Sequence, residues 1–171
     1  HGANRLGGNS LAEILVFGKI AGEAAVNFSK NLNSRMRSNE CLFECNEKIN
    51  NKFQQGKYLS SYLQNELSDI MWEYCGVVRN KNKLNDGLEK IKELQLLSKK
   101  VKVDVSTGDY KDLVNIFNLD ASIISAEATI KSALYREESR GAHQREDFKE
   151  TKSYYNFNIK INLNDNGLNL S

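Results

Sequence analysis

Residues 58–100 read YLSSYLQNELSDIMWEYCGVVRNKNKLNDGLEKIKELQLLSKK, and the spacing of their apolar side chains decides the fold. Leu59, Leu63, Leu67, Ile70, Met71 and Tyr74 recur three or four apart, the interval that lines one face of an α-helix. This predicts a helix over 58–75, with Trp72 adding a large buried surface at one edge of the stripe. Gly76 is a helix stop, and Asn80–Asn82 form a polar turn. Leu84, Leu88, Ile91, Leu94 and Leu97 then repeat the pattern over a helix of 84–100.

Downstream, Leu113, Ile116, Phe117, Leu119, Ile123, Ala126, Ile130, Ala133 and Leu134 extend the same periodicity over about 109–137. Three amphipathic helices joined by short links bury their stripes against one another, so an antiparallel three-helix bundle is expected. The period then changes to two. Tyr155, Phe157, Ile159, Ile161 and Leu163 alternate with polar residues, and Asn164-Asp165-Asn166-Gly167 is a turn signal before Leu168 and Leu170. A C-terminal β-hairpin follows from this alternation.

Upstream, residues 1–9, HGANRLGGN, are a glycine-rich loop. Leu11, Leu15, Gly18, Gly22 and Val26 then mark a helix face from Ser10, with Asn9 or Ser10 as N-cap and Glu13 in the first turn. Small residues at 18, 21, 22, 24 and 25 call for another element packed closely on this helix. Residues 31–57 read as a polar connection, partly helical around Glu40–Asn51. The expected division is therefore 1–30, the end of a preceding domain; 31–57, connection; 58–150, helical domain; and 151–171, hairpin extension. Because the first residue is His1, inside a glycine-rich segment, the chain is expected to be a piece of a longer protein.

Composition excludes several classes. The 171 residues hold 24 Lys and Arg against 22 Asp and Glu, a net charge of +2, with no dense basic block, so no nucleic-acid partner is expected. Apolar runs stay short of the roughly 20 residues of a membrane span. Cys41, Cys45 and Cys75 are an odd number without disulfide spacing and with no histidine near them. They read as reduced thiols, and no metal site is expected.

Three stretches go further. His1–Ala12, HGANRLGGNSLA, with the helix after it, resembles the segment of the succinate dehydrogenase, fumarate reductase and L-aspartate oxidase flavoproteins where the capping domain returns to the FAD domain. Met71–Leu94, MWEYCGVVRNKNKLNDGLEKIKEL, is similar to the family's helical-domain stretch. Glu138–Phe148, ESRGAHQREDF, matches its ESRGAHxRxDF segment. Lys149 departs from the pattern, since many relatives have proline there, and Ser153–Ser171 lacks their aromatic-and-histidine continuation. Gly7-Gly8 and the GAHQRED string favour the succinate/fumarate branch.

The resemblance implies an FAD-dependent oxidoreductase that interconverts succinate and fumarate by hydride transfer at the flavin. Electrons would pass to an iron–sulfur subunit. L-aspartate oxidase and a non-catalytic helical docking domain are the rival readings. Within this family Arg5 binds a carboxylate of the C4 dicarboxylate substrate, a task suited to a planar two-point donor. Asn9, Ser10 and Leu11 contact the flavin at the helix start, where unpaired N–H groups and the helix field favour negative charge on the reduced cofactor. His1, Arg140, His143, Arg145 and Asp147 are interface or supporting groups, and Gly141 is expected to end the preceding helix in a left-handed cap. Arg79 is expected in structural ion pairs. No catalytic residue is expected in this stretch, which should neither act nor retain FAD alone. The expected location is cytoplasmic and peripheral, on the inner face of a membrane through partner subunits.

Overall fold

A computed structural model describes residues 9–32, 39–52, 56–103, 111–164 and 167–170. The chain divides into two compact units, His1–Glu47 and Lys48–Ser171.

In the first unit, α1 spans Asn9–Lys30. Asn9 and Ser10 lie inside its first turn, and Glu13 just beyond it. Its apolar residues surround the helix and stay exposed, including Leu15 at 74% and Phe28 at 69%. A Cβ added at Gly18 or Gly22 would meet nothing within 4 Å. The stretch read as a connection contains a second helix, α2, Asn39–Lys52, with Cys41 and Cys45 exposed.

The second unit holds the bundle. Helix α3 spans Ser60–Cys75, α4 spans Lys81–Ser98 and α5 spans Lys111–Tyr135. Their stripes meet in one core of Leu63 and Leu67 from α3, Leu84, Ile91 and Leu94 from α4, and Ile116, Leu119, Ile123, Ala126, Ile130 and Ala133 from α5. Burial of these side chains is the main force for the bundle, each contributing about 1.5–3 kcal/mol for a Val, Leu or Ile fully removed from water. Helix α5 is long and apolar enough to cross a membrane by length and composition alone, a test that the core helix of a bundle also passes. Every turn from Ile116 to Ala133 gives a side chain to the bundle core.

Several boundaries differ from the periodicity. Helix α4 begins at Lys81, three residues before the first leucine, because the Asn80 side chain accepts a hydrogen bond from Lys83 N at 2.9 Å and caps the helix. Trp72 is not buried at all; it is 78% exposed. Gly87, inside α4, is required by a close crossing, since a Cβ there would lie 2.6 Å from Tyr74 Cβ on α3.

Two short strands were not anticipated. β1, Val78–Arg79, pairs in parallel with β2, Gln144–Arg145. This tacks the loop after α5 onto the link between α3 and α4. The hairpin is present but shorter than the alternation suggested. β3, Ile161–Asn164, pairs antiparallel with β4, Gly167–Leu170, while Ser153–Tyr155 form a 3-10 turn. Residues 155–160 alternate in sequence without pairing because Tyr155 and Phe157 turn to Arg136, whose guanidinium lies 5.6 and 5.5 Å from their rings. Asp165 and Asn166 of the turn lie outside the described residues. Lys131 Nζ donates to Leu168 O at 3.3 Å, fixing the hairpin to α5.

Candidate functional site

The predicted site residues fall in two places. At the start of α1, Ser10 and Leu11 are exposed, Leu11 at 70%, and the first turn carries no acidic residue. The start of this 22-residue helix carries the partial positive charge of its unpaired N–H groups. Helix starts of this kind attract anions. Asn9 is the first residue of the helix. His1 and Arg5 lie outside the described residues.

The second place is the loop after α5, where Arg140, His143, Arg145 and Asp147 come together. Arg145 sits at the centre, 2% exposed. Its Nε and Nη2 donate to Asp147 Oδ1 and Oδ2, both at 2.7 Å, as a two-point pair. Nη1 donates to Ala133 O at 2.7 Å and Arg136 O at 3.3 Å. The last carbonyls of α5 have no partner within the helix, so this guanidinium ends α5. The Arg145 guanidinium also lies over the Phe148 ring at 4.9 Å. Asp147 Oδ2 in turn accepts Lys81 N at 2.9 Å, which caps α4. One pair thus joins the end of α5 to the start of α4. The Arg145 guanidinium holds the Asp147 carboxyl down to about 2, with the Lys81 N–H helping and burial opposing.

Glu138 organises the other half. Its side chain is fully buried and accepts from Arg140 Nε at 2.7 Å, Arg136 Nη1 at 2.8 Å and Lys152 N at 2.7 Å. The Arg140 guanidinium beside it depresses its pKa to about 2; burial opposes, and the Lys152 N–H and Arg136 assist. Ser139 closes the loop, donating from Oγ to Phe148 O at 2.9 Å and accepting Arg145 N at 2.8 Å. Gly141 does take the left-handed conformation, φ 60°, but six residues beyond the end of α5. It serves the tight turn in which Arg140 and His143 exchange backbone hydrogen bonds at 2.8 and 3.0 Å.

His143 is half-buried. Its Nδ1 lies 3.0 Å from Arg79 Nη1, and its Nε2 lies 3.1 Å from Arg136 O. Arg79 also donates from Nε to Gly76 O at 2.8 Å. The Arg79 guanidinium thus meets a carbonyl and an imidazole where carboxylates were expected. Burial lowers the His143 pKa, and Arg79, Arg145 and Arg136 lower it further; the hydrogen bond to Arg136 O acts the other way. Arg136, Arg140 and His143, with Tyr155–Asn158, line an open cavity of about 500 Å³.

The sequence reading named four members of this cluster, gave Arg79 a structural role with other partners, and missed Arg136, Glu138, Ser139 and Lys152. Glu138 and Ser139 stand inside the quoted ESRGAHQREDF string, which was the available signal. Nothing local marks Lys152, whose contribution is a backbone N–H. Among the described residues, no group of three or more His, Cys, Asp or Glu side chains is placed to hold a metal ion.

Residues 64–165 match the model of the fumarate reductase flavoprotein C-terminal family. The chain belongs to that family. A fumarate reductase (CoM/CoB) subunit from Methanothermobacter marburgensis is 34% identical over 95% of the chain and 29% of the relative's length. An uncharacterized FAD-dependent oxidoreductase of Methanocaldococcus jannaschii is 43% identical over 94% of the chain and again 29% of the relative. The chain thus spans under a third of the length of these relatives. In structure, a mutant of the E. coli quinol fumarate reductase FrdA superposes with a TM-score of 0.87 at 33% identity, covering 100% of this chain and 31% of that one. The family match covers α3 from Gln64 onward, α4, α5, the Arg145 cluster and the first strand of the hairpin.

Proposed function

We propose that this chain works as the C-terminal part of the flavoprotein subunit of an FAD-dependent oxidoreductase that interconverts succinate and fumarate. The observation that supports this reading most is the family match over 64–165, beside which the motif of residues 1–12 is read as part of the same protein. When bound, the flavin supplies the hydride acceptor or donor. Asn9, Ser10 and Leu11 present the start of α1 to the flavin's negatively charged edge. Arg5 grips one carboxylate of the dicarboxylate and fixes the reacting carbon in place. His1, Arg140, His143, Arg145 and Asp147 support the site or face a neighbouring domain. Residues 1–30 belong with the FAD domain in this reading, which gives the exposed apolar surface of α1 a place to be buried. An iron–sulfur subunit takes the electrons, and partner subunits hold the assembly at the cytoplasmic face of a membrane.

The test is Arg5→Lys in the full-length protein. Lysine keeps the charge and loses the planar fork. A lost charge-assisted hydrogen bond is worth about 1.5–3 kcal/mol, so kcat/KM for succinate with an artificial acceptor should fall at least about tenfold, with flavin content unchanged. Near-normal kinetics at full flavin content would remove Arg5 from the substrate site. Lost flavin with normal turnover per bound flavin would make it a cofactor residue. The 171-residue chain alone should emerge from gel filtration in excess FAD without a yellow complex.

A further inference from the structure

His143 closes the contact between two segments far apart in the chain, and only one protonation state of its ring fits both partners. The Arg79 guanidinium, 3.0 Å from Nδ1, can only donate. The Arg136 carbonyl, 3.1 Å from Nε2, can only accept. The ring must therefore be neutral and carry its hydrogen on Nε2. A second proton would stand on Nδ1, facing the N–H of Arg79 and a full positive charge.

We propose that His143 is an acid-released clasp, closed by the neutral Nε2–H ring between Arg79 and Arg136 O and opened when the ring is protonated. The charged groups that act most on its ring are cationic: Arg79 from the link between α3 and α4, Arg145 from β2, and Arg136 from the exit of α5. Arg140 shares the cavity that His143 lines. Glu138, the nearby carboxylate, is already held by Arg136 and Arg140. A protonated ring has no counter-ion among these partners and must turn outward toward the cavity. What it releases is specific. The pairing of β1 with β2 and the bond from Glu146 N to Arg79 O, 2.8 Å, lie beside the clasp, whereas the α3–α5 core does not depend on it. Acid should loosen the loop of 136–148 before it unfolds the bundle.

The chain contains two histidines, so the long-range 1H–15N spectrum of the imidazoles is simple to read, with His1 as internal reference. The expected result is an Nε2–H pattern for His143 at neutral pH and a titration midpoint below the ordinary histidine value of about 6.5. Arg79→Met should move that midpoint upward. Glutamine can donate to Arg136 O and accept from Arg79 without titrating, so in His143→Gln the Glu146 amide should stay protected from exchange, corrected for intrinsic rate, as pH is lowered. In the unmodified chain that protection should fall ahead of the amides of α3–α5. An Nδ1–H tautomer, a midpoint at or above the ordinary value, or Glu146 protection falling only in step with the core would overturn the proposal. The tautomer and midpoint are measured on the unmodified chain, so they decide the matter even where a variant folds poorly.

Discussion

Replacing Asp147 with asparagine changes almost no volume and removes one charge, leaving the buried Arg145 cation without its partner. The Arg145 side chain is fully buried while that of Asp147 is 29% exposed. Breaking a buried pair from one side costs about 3–5 kcal/mol. Water reaches the Asp147 side, so the lower end, about 3 kcal/mol, is expected. For a chain of this size each kcal/mol moves Tm by about 2–4 °C, giving a drop of about 6–12 °C. Lys90–Glu93, an exposed pair at 3.0 Å, supplies the comparison, since Glu93→Gln should cost under about 1 kcal/mol. The assay is urea unfolding followed by far-UV circular dichroism, with the midpoint read at constant slope. A double variant, Asp147→Asn with Arg145→Met, distinguishes the cause. If the uncompensated charge is the main cost, the double variant should be less destabilised than the sum of its parts. An Asp147→Asn loss no greater than that of Glu93→Gln would refute the view that this pair joins the end of α5 to the start of α4.

Three further outcomes are expected. Gly87→Ala should destabilise the bundle by about 1–3 kcal/mol, as overpacking does, although Ala gains about 1 kcal/mol over Gly in an open helix; a stabilised variant would mean that α3 and α4 cross less closely than the 2.6 Å approach to Tyr74 Cβ indicates. Trp72, the one tryptophan, is exposed, so its fluorescence in the 171-residue chain should resemble that of the unfolded chain and be readily quenched by iodide; a blue-shifted, protected emission would place it against another surface. Glu138 and Asp147 are held at about 2, below their ordinary values of 4.5 and 3.8. Their contribution should therefore be complete above those ordinary values and fade as pH falls from about 4.5 toward 2. In Glu138→Gln that loss should be smaller, as read from denaturant midpoints across pH.

Sequence alone determined the helical character, because stripes such as Leu63–Leu67–Ile70 and Leu84–Leu88–Ile91 have a helical period and an apolar face that must be covered. It also determined the family, since motifs of twelve and eleven residues at 1–12 and 138–148 carry that information directly. The position of Trp72 was legible too: at about 100° per residue it stands half a turn from Leu63, opposite the stripe, and its size misled the reading. The tight turn at Gly141 was foreseen as left-handed but assigned to the helix end, because nothing local shows that α5 stops at Tyr135. What only the tertiary structure decided is the Arg145 cluster. ESRGAHQREDF looks like a solvated charged loop, and its burial depends on carbonyls at the end of α5 just before it and on an amide at the start of α4 and Arg79 on the link between α3 and α4, both more than fifty residues upstream. The two-residue strands β1 and β2 were invisible for the same reason: pairs that short have no period, and they form because the packed helices bring residues 78 and 144 side by side.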